Sequence, residues 1–239
     1  MFEKIITYIH SMLYYMSEFF NLAREEFSFG YGLLKSIFFP SVRPTRNFNH
    51  EFPKEMETLK KFLGDICKKE KIKQIPHIEI CNFFEPACAF SFFSFVPSVI
   101  YIPKEELELQ KDLKCAKATI LHELSHIKHE DSFFSFIIFS FLYFTFVYCL
   151  LKSIPLGLMS LLVCTKLFQF YSHRIEYRAD ALVKKYNLEF HLIKQLAWFE
   201  LQEGPMGDSL SHPSLMKRNK KLNPHNHHSI LKKVSPKQN

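Results

Sequence analysis

The sequence predicts an α+β fold: a mostly helical domain with a small β-sheet and an inserted hydrophobic helical hairpin. Three observations lead there. Residues 77–102 contain short stretches of period-two alternation. Several flanking segments place apolar residues at helical spacing. Residues 132–151 form a run of twenty without a formal charge, rich in Phe, Ile and Leu.

A chain of 239 residues has room for one compact domain plus membrane-associated segments, and hardly for two full domains. The net charge of +7 is compatible with nucleic acid, an anionic membrane surface or the cytoplasmic flanks of membrane helices. No zinc-finger spacing or RNP-type aromatic strand is present, which argues against nucleic acid. The six cysteines are scattered, with no Cys-x-x-Cys pair, as small hydrophobes in a reducing compartment would be. The N-terminus lacks a signal-peptide layout, because His10 and Glu18 interrupt its apolar pattern.

Residues 1–45 hold two apolar stretches, around Ile5 to Leu22 and around Leu33, Leu34, Ile37 and Phe38. In-plane membrane helices, helices covering the domain and a weak membrane span all fit that pattern. A folded domain is expected over 51–218. Within it, Met56, Leu59, Phe62, Leu63 and Ile66 mark an amphipathic helix with a lysine-rich outer face. Residues 77–81, 87–95 and 98–102 read as strands, and 115–129 as a helix.

The uncharged run at 132–151 would extend about 30 Å as a helix, the thickness of a bilayer's hydrocarbon core. Lys152, Ser153 and Pro155 signal a turn, and 156–171 is apolar again except for Lys166 and Gln169. Two spans joined by a tight turn make a membrane hairpin over about 132–171. Buried helices of a soluble protein are the alternative. Residues 172–186 and 190–202 continue as helices, and 219–239 is a basic, His-rich tail in which His225, His227 and His228 cluster.

The chemistry centres on His122-Glu123-Leu124-Ser125-His126. On a helix, positions i and i+4 lie on one face, so both imidazoles can reach one ion. Glu123 sits beside that face, where its carboxylate can take a proton from a water activated by the ion. A catalytic zinc site needs a third protein ligand and one open position. A third His six residues on is absent, since position 132 is Ser, and His129 reads as a surface neighbour. Glu176 and Asp180 form an i, i+4 pair that can supply a ligand and a carboxylate to orient an imidazole. Taken alone, that pair reads equally as an ordinary charged helix face partnered by Arg174 and Arg178.

The stretch from Ile75 to Arg218 resembles the membrane-bound HtpX-type peptidases, which are related to the CAAX prenyl proteases. The resemblance rests on the His122–His126 motif, the hydrophobic hairpin, and Arg174, Glu176, Ala179 and Asp180 after it. Arg174 stands one residue closer to the Glu than the family pattern has it. Ala89-Phe90-Ser91 and His212-Pro213 followed by Arg218 are similar to two further family elements, with Cys88 where Asn is usual.

The resemblance implies a zincin-like metallopeptidase domain with one zinc ion per chain. It makes His122, His126 and Glu176 the ligands, Glu123 the general base, and Asp180 the carboxylate behind a ligand. His212 and Arg218 become helpers at the transition state or in the structure. It also implies a strand around 87–93 that pairs with an extended protein or peptide substrate. Lysines and arginines gather on both flanks of the hairpin, with only Lys152 at its turn, which places the domain on the cytoplasmic side of the bilayer. The expected activity is hydrolysis of membrane-associated or misfolded proteins. The competing expectation is a non-catalytic membrane adaptor with a structural zinc site.

Overall fold

The structure, a computed structural model, describes residues 48–81, 89–90, 98–109, 113–203 and 208–222. The helices expected within residues 1–45, much of the strand expected over 87–95, and the His-rich cluster near the C-terminus lie outside the described residues. The fold is α+β, with a small sheet among helices and two long apolar helices.

Helix α1 spans Pro53–Lys69, and Pro at its first turn starts it without leaving an amide unsatisfied. Met56, Leu59, Leu63, Ile66 and Cys67 make its buried face, at the spacing of one helical stripe. Strands β1 (His77–Cys81), β2 (Ala89–Phe90) and β3 (Val99–Pro103) follow. They form one sheet in the order β1-β3-β2. β1 runs parallel to β3, and β2 antiparallel to it. The alternating residues Ile78, Ile80, Ile100 and Ile102 are buried, as period two requires.

After the short helix α2 (Lys104–Leu109), helix α3 spans Lys114–Lys128 and packs on the sheet and on α1. Ala118, Ile120, Leu121 and Leu124 of α3 are fully buried. Burying one such Leu or Ile stabilises the fold by about 1.5–3 kcal/mol, so this helix is held firmly against its neighbours.

Helices α4 (Asp131–Lys152) and α5 (Ile154–Lys185) follow, then α6 (Glu189–Glu203) and α7 (Leu215–Leu222). The sequence suggested separate helical segments at 156–171 and 172–186. The structure joins them into one helix of 32 residues. The physical reason is the absence of any Gly or Pro between Leu158 and Tyr186. Residues 217–222, basic enough to read as tail, form most of α7, with Leu215, Arg218, Asn219 and Leu222 buried.

The chain divides into two compact units. One comprises residues 134–174 and 208–212. In it Phe139, Leu142 and Phe146 of α4 pack with Leu161, Cys164 and Phe168 of α5 and with Leu210. The rings of Phe139 and Phe168 meet edge to face at 5.5 Å. Only Ser153 separates the two helices, and its Oγ accepts a bond from the Leu156 amide at 3.3 Å. A Cβ on Gly157 would lie 2.8 Å from the Leu150 Cα, so the tight turn requires glycine there. Phe141, Phe144, Leu151, Met159 and Phe170 are exposed, and both helices are long and apolar enough to cross a membrane.

The other unit holds the sheet, α1 to α3, the end of α5, α6 and α7. Glu70, just past α1, ties it together. Its carboxylate accepts bonds from Lys128 at 2.8 Å, Lys185 at 2.6 Å and Tyr186 at 2.7 Å. The Lys128 bond above all, then those of Lys185 and Tyr186, lowers the Glu70 carboxyl from 4.5 to about 2. A depressed acid contributes stability above its unfolded value, and that stability disappears as pH falls through its folded value. Glu70→Gln is expected to cost about 1 kcal/mol at neutral pH, the two lysines being partly screened by solvent. The stability gap to the parent should close between pH 4.5 and about 2. Urea titrations across that window test it, and a gap undiminished at its acid end would refute the assignment.

Candidate metal centre

α3 carries His122 and His126 one turn apart, with no helix breaker between Lys114 and Lys128. The two rings stand edge to face, with centroids 4.8 Å apart. Their Nε2 atoms lie 3.2 Å from each other. Glu176 of α5 reaches the same point: Oε2 is 3.3 Å from Nε2 of His122, and Oε1 is 3.6 Å from Nε2 of His126. All three side chains offer a ligand atom within 4.8 Å of the others. They come together from sequence positions 122, 126 and 176.

The other nitrogen of each ring faces an acid. Nδ1 of His122 is 3.2 Å from Oδ1 of Asp180, one turn beyond Glu176. Nδ1 of His126 is 3.0 Å from Oδ2 of Asp131. A neutral imidazole has one N–H, and donation of it through Nδ1 leaves Nε2 a lone pair. Two lone pairs and a carboxylate then point toward one another, with His122 and Glu176 buried and His126 partly so. A cation bound among them would be attracted by all three. One ligand atom from each of the three side chains lies within 4.8 Å of the others, near enough for the three to share one ion. The donor set fits a divalent ion, which His122, His126 and Glu176 could hold.

Arg218, from the buried face of α7, closes the back of the site. Its Nε donates to Oδ2 of Asp180 at 3.0 Å and its Nη2 to Oδ1 at 2.5 Å. Its Nη1 lies 3.3 Å from Oε2 of Glu176. Burial alone would lower the guanidinium's pKa, but the charges of Asp180 and Glu176 hold it above its ordinary value. Burial would likewise raise the Asp180 carboxyl, and the charge of Arg218 with the bonds to His122 and Arg218 keeps it below the usual range. For His122, burial is again the largest influence and acts downward. The Glu176 charge and the bonds to Asp180 and Glu176 outweigh it, and in the metal-free protein the ring rises to about 10. A proton thus competes with a cation for this nitrogen.

Glu123 is buried on α3 beside the two histidines. Near it stands Glu106 of α2, which the sequence reading did not single out. Thr119 Oγ1 donates to Glu106 Oε1 at 2.9 Å. Burial first, and then the charge of Glu123, pushes the Glu106 carboxyl up from 4.5 to about 8. Asp131 was also not assigned, and its partner Arg178 was read only as a possible partner of Glu176 and Asp180. Arg178 bonds across to Oδ1 of Asp131. His212 belongs to the Asp208–His212 segment of the hairpin unit. There its amide donates to Ser209 Oγ at 2.9 Å, and its carbonyl accepts from the Ser209 amide at 3.0 Å.

The profile of peptidase family M48 matches residues 78–225, more than half of the chain. The chain belongs to peptidase family M48 and is of the metallopeptidase class. Among solved structures, the crystal structure of S. mikatae Ste24p is similar at a TM-score of 0.46 and 17% identity. That likeness covers 69% of this chain and 49% of Ste24p, so the chain spans about half the length of that protein. No curated protein sequence matches the chain.

The raised Glu106 carboxyl gives a stability test. A buried acid with a raised pKa loses stability as pH climbs from its unfolded to its folded value. Glu106→Gln, a neutral isostere, should melt higher than the parent at alkaline pH, with the difference growing between pH 4.5 and about 8. Thermal melts of both proteins running parallel over that range would sink the assignment.

Proposed function

We propose that this chain is a membrane-anchored zinc endopeptidase of the HtpX type, acting on membrane-associated or misfolded proteins. The observation that carries the reading is the convergence of His122, His126 and Glu176 on one point, with Glu123 between the two histidines in sequence. A zinc ion held by these three residues would polarise the scissile carbonyl and make a water molecule more acidic.

The protein's own groups do the rest. Glu123 takes a proton from the attacking water and returns it to the leaving amine. Two neutral rings and one carboxylate leave a dipositive site with a net charge near +1, which favours an anionic tetrahedral species. Asp180 and Arg218 hold His122 and Glu176 in place, so Arg218 acts through the ligands. β2 is an outer strand of the sheet and packs against α3. Among the described residues no strand lies beyond it, and that edge can add the backbone of an extended substrate as a further strand. The hairpin helices α4 and α5 enter the bilayer, and the Lys and Arg on both flanks keep the domain cytoplasmic. His212 keeps its expected helper role as part of this proposal.

An intact Glu123 weighs against the adaptor alternative, because a structural zinc site has no use for a general base. Purified protein should hold about one zinc per chain and cleave casein or itself, with a chelator abolishing cleavage and added zinc restoring it. Glu123→Gln should retain its zinc while losing about 100-fold or more in turnover. Full activity in that variant overturns the general-base role. Stoichiometric zinc in a parent protein inert toward every substrate tried points to the adaptor.

A further inference from the structure

We infer that Asp131, braced by Arg178, is a positioning residue for the metal centre, fixing the ring of His126 so that its Nε2 faces the ion. The inference rests on the metallopeptidase reading above and deepens it.

The geometry depends on how α3 ends. Five residues along an unbroken helix, Asp131 would lie about 140° around the axis from His126 and could not reach its ring. The helix is broken instead. His129 and Glu130 donate back to Ser125 and Ile127 at 3.1 Å each, and Glu130 takes the left-handed conformation at φ 53°. Few residues besides Gly adopt that conformation readily. The reversal turns the chain so that the first residue of α4 faces back toward α3.

The plain alternative is that Asp131 merely sits at a helix start, where a negative charge offsets the helix dipole. Its oxygens indicate otherwise. Oδ2 meets Nδ1 of His126 at 3.0 Å, and Oδ1 accepts from Arg178. The Asp131 side chain is 6% exposed and that of Arg178 44%. The carboxylate is thus buried against the ring, and Arg178 closes it from the solvent side.

The same construction stands behind the other ligand, where Asp180 meets Nδ1 of His122 and Arg218 grips Asp180. Each imidazole is backed by a carboxylate, and each carboxylate by an arginine. A carboxylate behind a ligating imidazole fixes its tautomer and ring angle and raises its basicity, and losing one typically costs about 10–100-fold in metal affinity or activity.

The test uses the full chain in detergent, loaded with zinc or cobalt. Asp131→Ala should weaken zinc binding about 10–100-fold in chelator competition and alter the visible spectrum of the cobalt-substituted protein. Asp131→Asn keeps an acceptor for the ring N–H but not the charge, so it should preserve the cobalt spectrum while binding zinc more weakly than the parent. Arg178→Met, at a half-exposed position that tolerates change, should have a smaller effect and none in the Asp131→Ala background. Zinc affinity and cobalt spectrum both unchanged in Asp131→Ala would overturn the inference while leaving the metal centre standing. A parent that binds neither metal would instead overturn the metallopeptidase reading itself.

Discussion

Three electron-pair donors aimed at one point in a protein interior do not stay there unaided. Nε2 of His122, Nε2 of His126 and the carboxylate of Glu176 lie together, and the Arg218 Nη1 stands 3.3 Å from Oε2 of Glu176. Removing a charge from water is costly, and a buried charge persists only with partners. The surrounding architecture supplies partners from behind: Asp180 and Asp131 face the two Nδ1 atoms, and Arg218 and Arg178 pair with those acids. The helices that deliver these groups are in turn held by the apolar face of α3 on the sheet and by Glu70 gripping Lys128, Lys185 and Tyr186.

The parts of this centre differ in how visible they were in the sequence. His122, Glu123 and His126 were legible because their geometry is local: one helical turn places both rings whatever the rest of the fold does. Glu176 and Asp180 were not. An i, i+4 acidic pair flanked by arginines is an everyday surface pattern, and only the likeness to a known family singled it out. Asp131 gave no signal, because its pairing requires a left-handed Glu130, and nothing in the residues around it announces that turn. Arg218 was singled out only by the resemblance. Its burial follows from the apolar positions Leu215 and Leu222, too few to be read as a helix stripe beforehand. Glu106 and Thr119 meet across a non-local contact that no periodicity reveals.

The fold shows the same division. The strands at 77–81 and 98–102 were readable from alternation, and the helices around 53–71 and 115–129 from their apolar stripes, each within a residue or two of the observed ends. The hairpin was legible from composition, since twenty uncharged residues in a row have few other uses. What composition could not show was that the second apolar helix continues unbroken into the segment bearing Glu176 and Asp180. A drop in hydropathy looks like a boundary, but a helix ends where its backbone is interrupted.

The order of the ligands along the chain has a further consequence. Roughly fifty residues, including the whole Phe-rich hairpin, separate His126 from Glu176. An ion gripping both would act as a staple across a long loop. Closing a loop of that length removes much of the freedom of the unfolded chain, and the loss grows only slowly with further length. The hairpin could therefore lengthen or shorten with little thermodynamic effect while the staple holds. Stripping the ion would do more than silence a reaction. It would release the end of one helix from the middle of another.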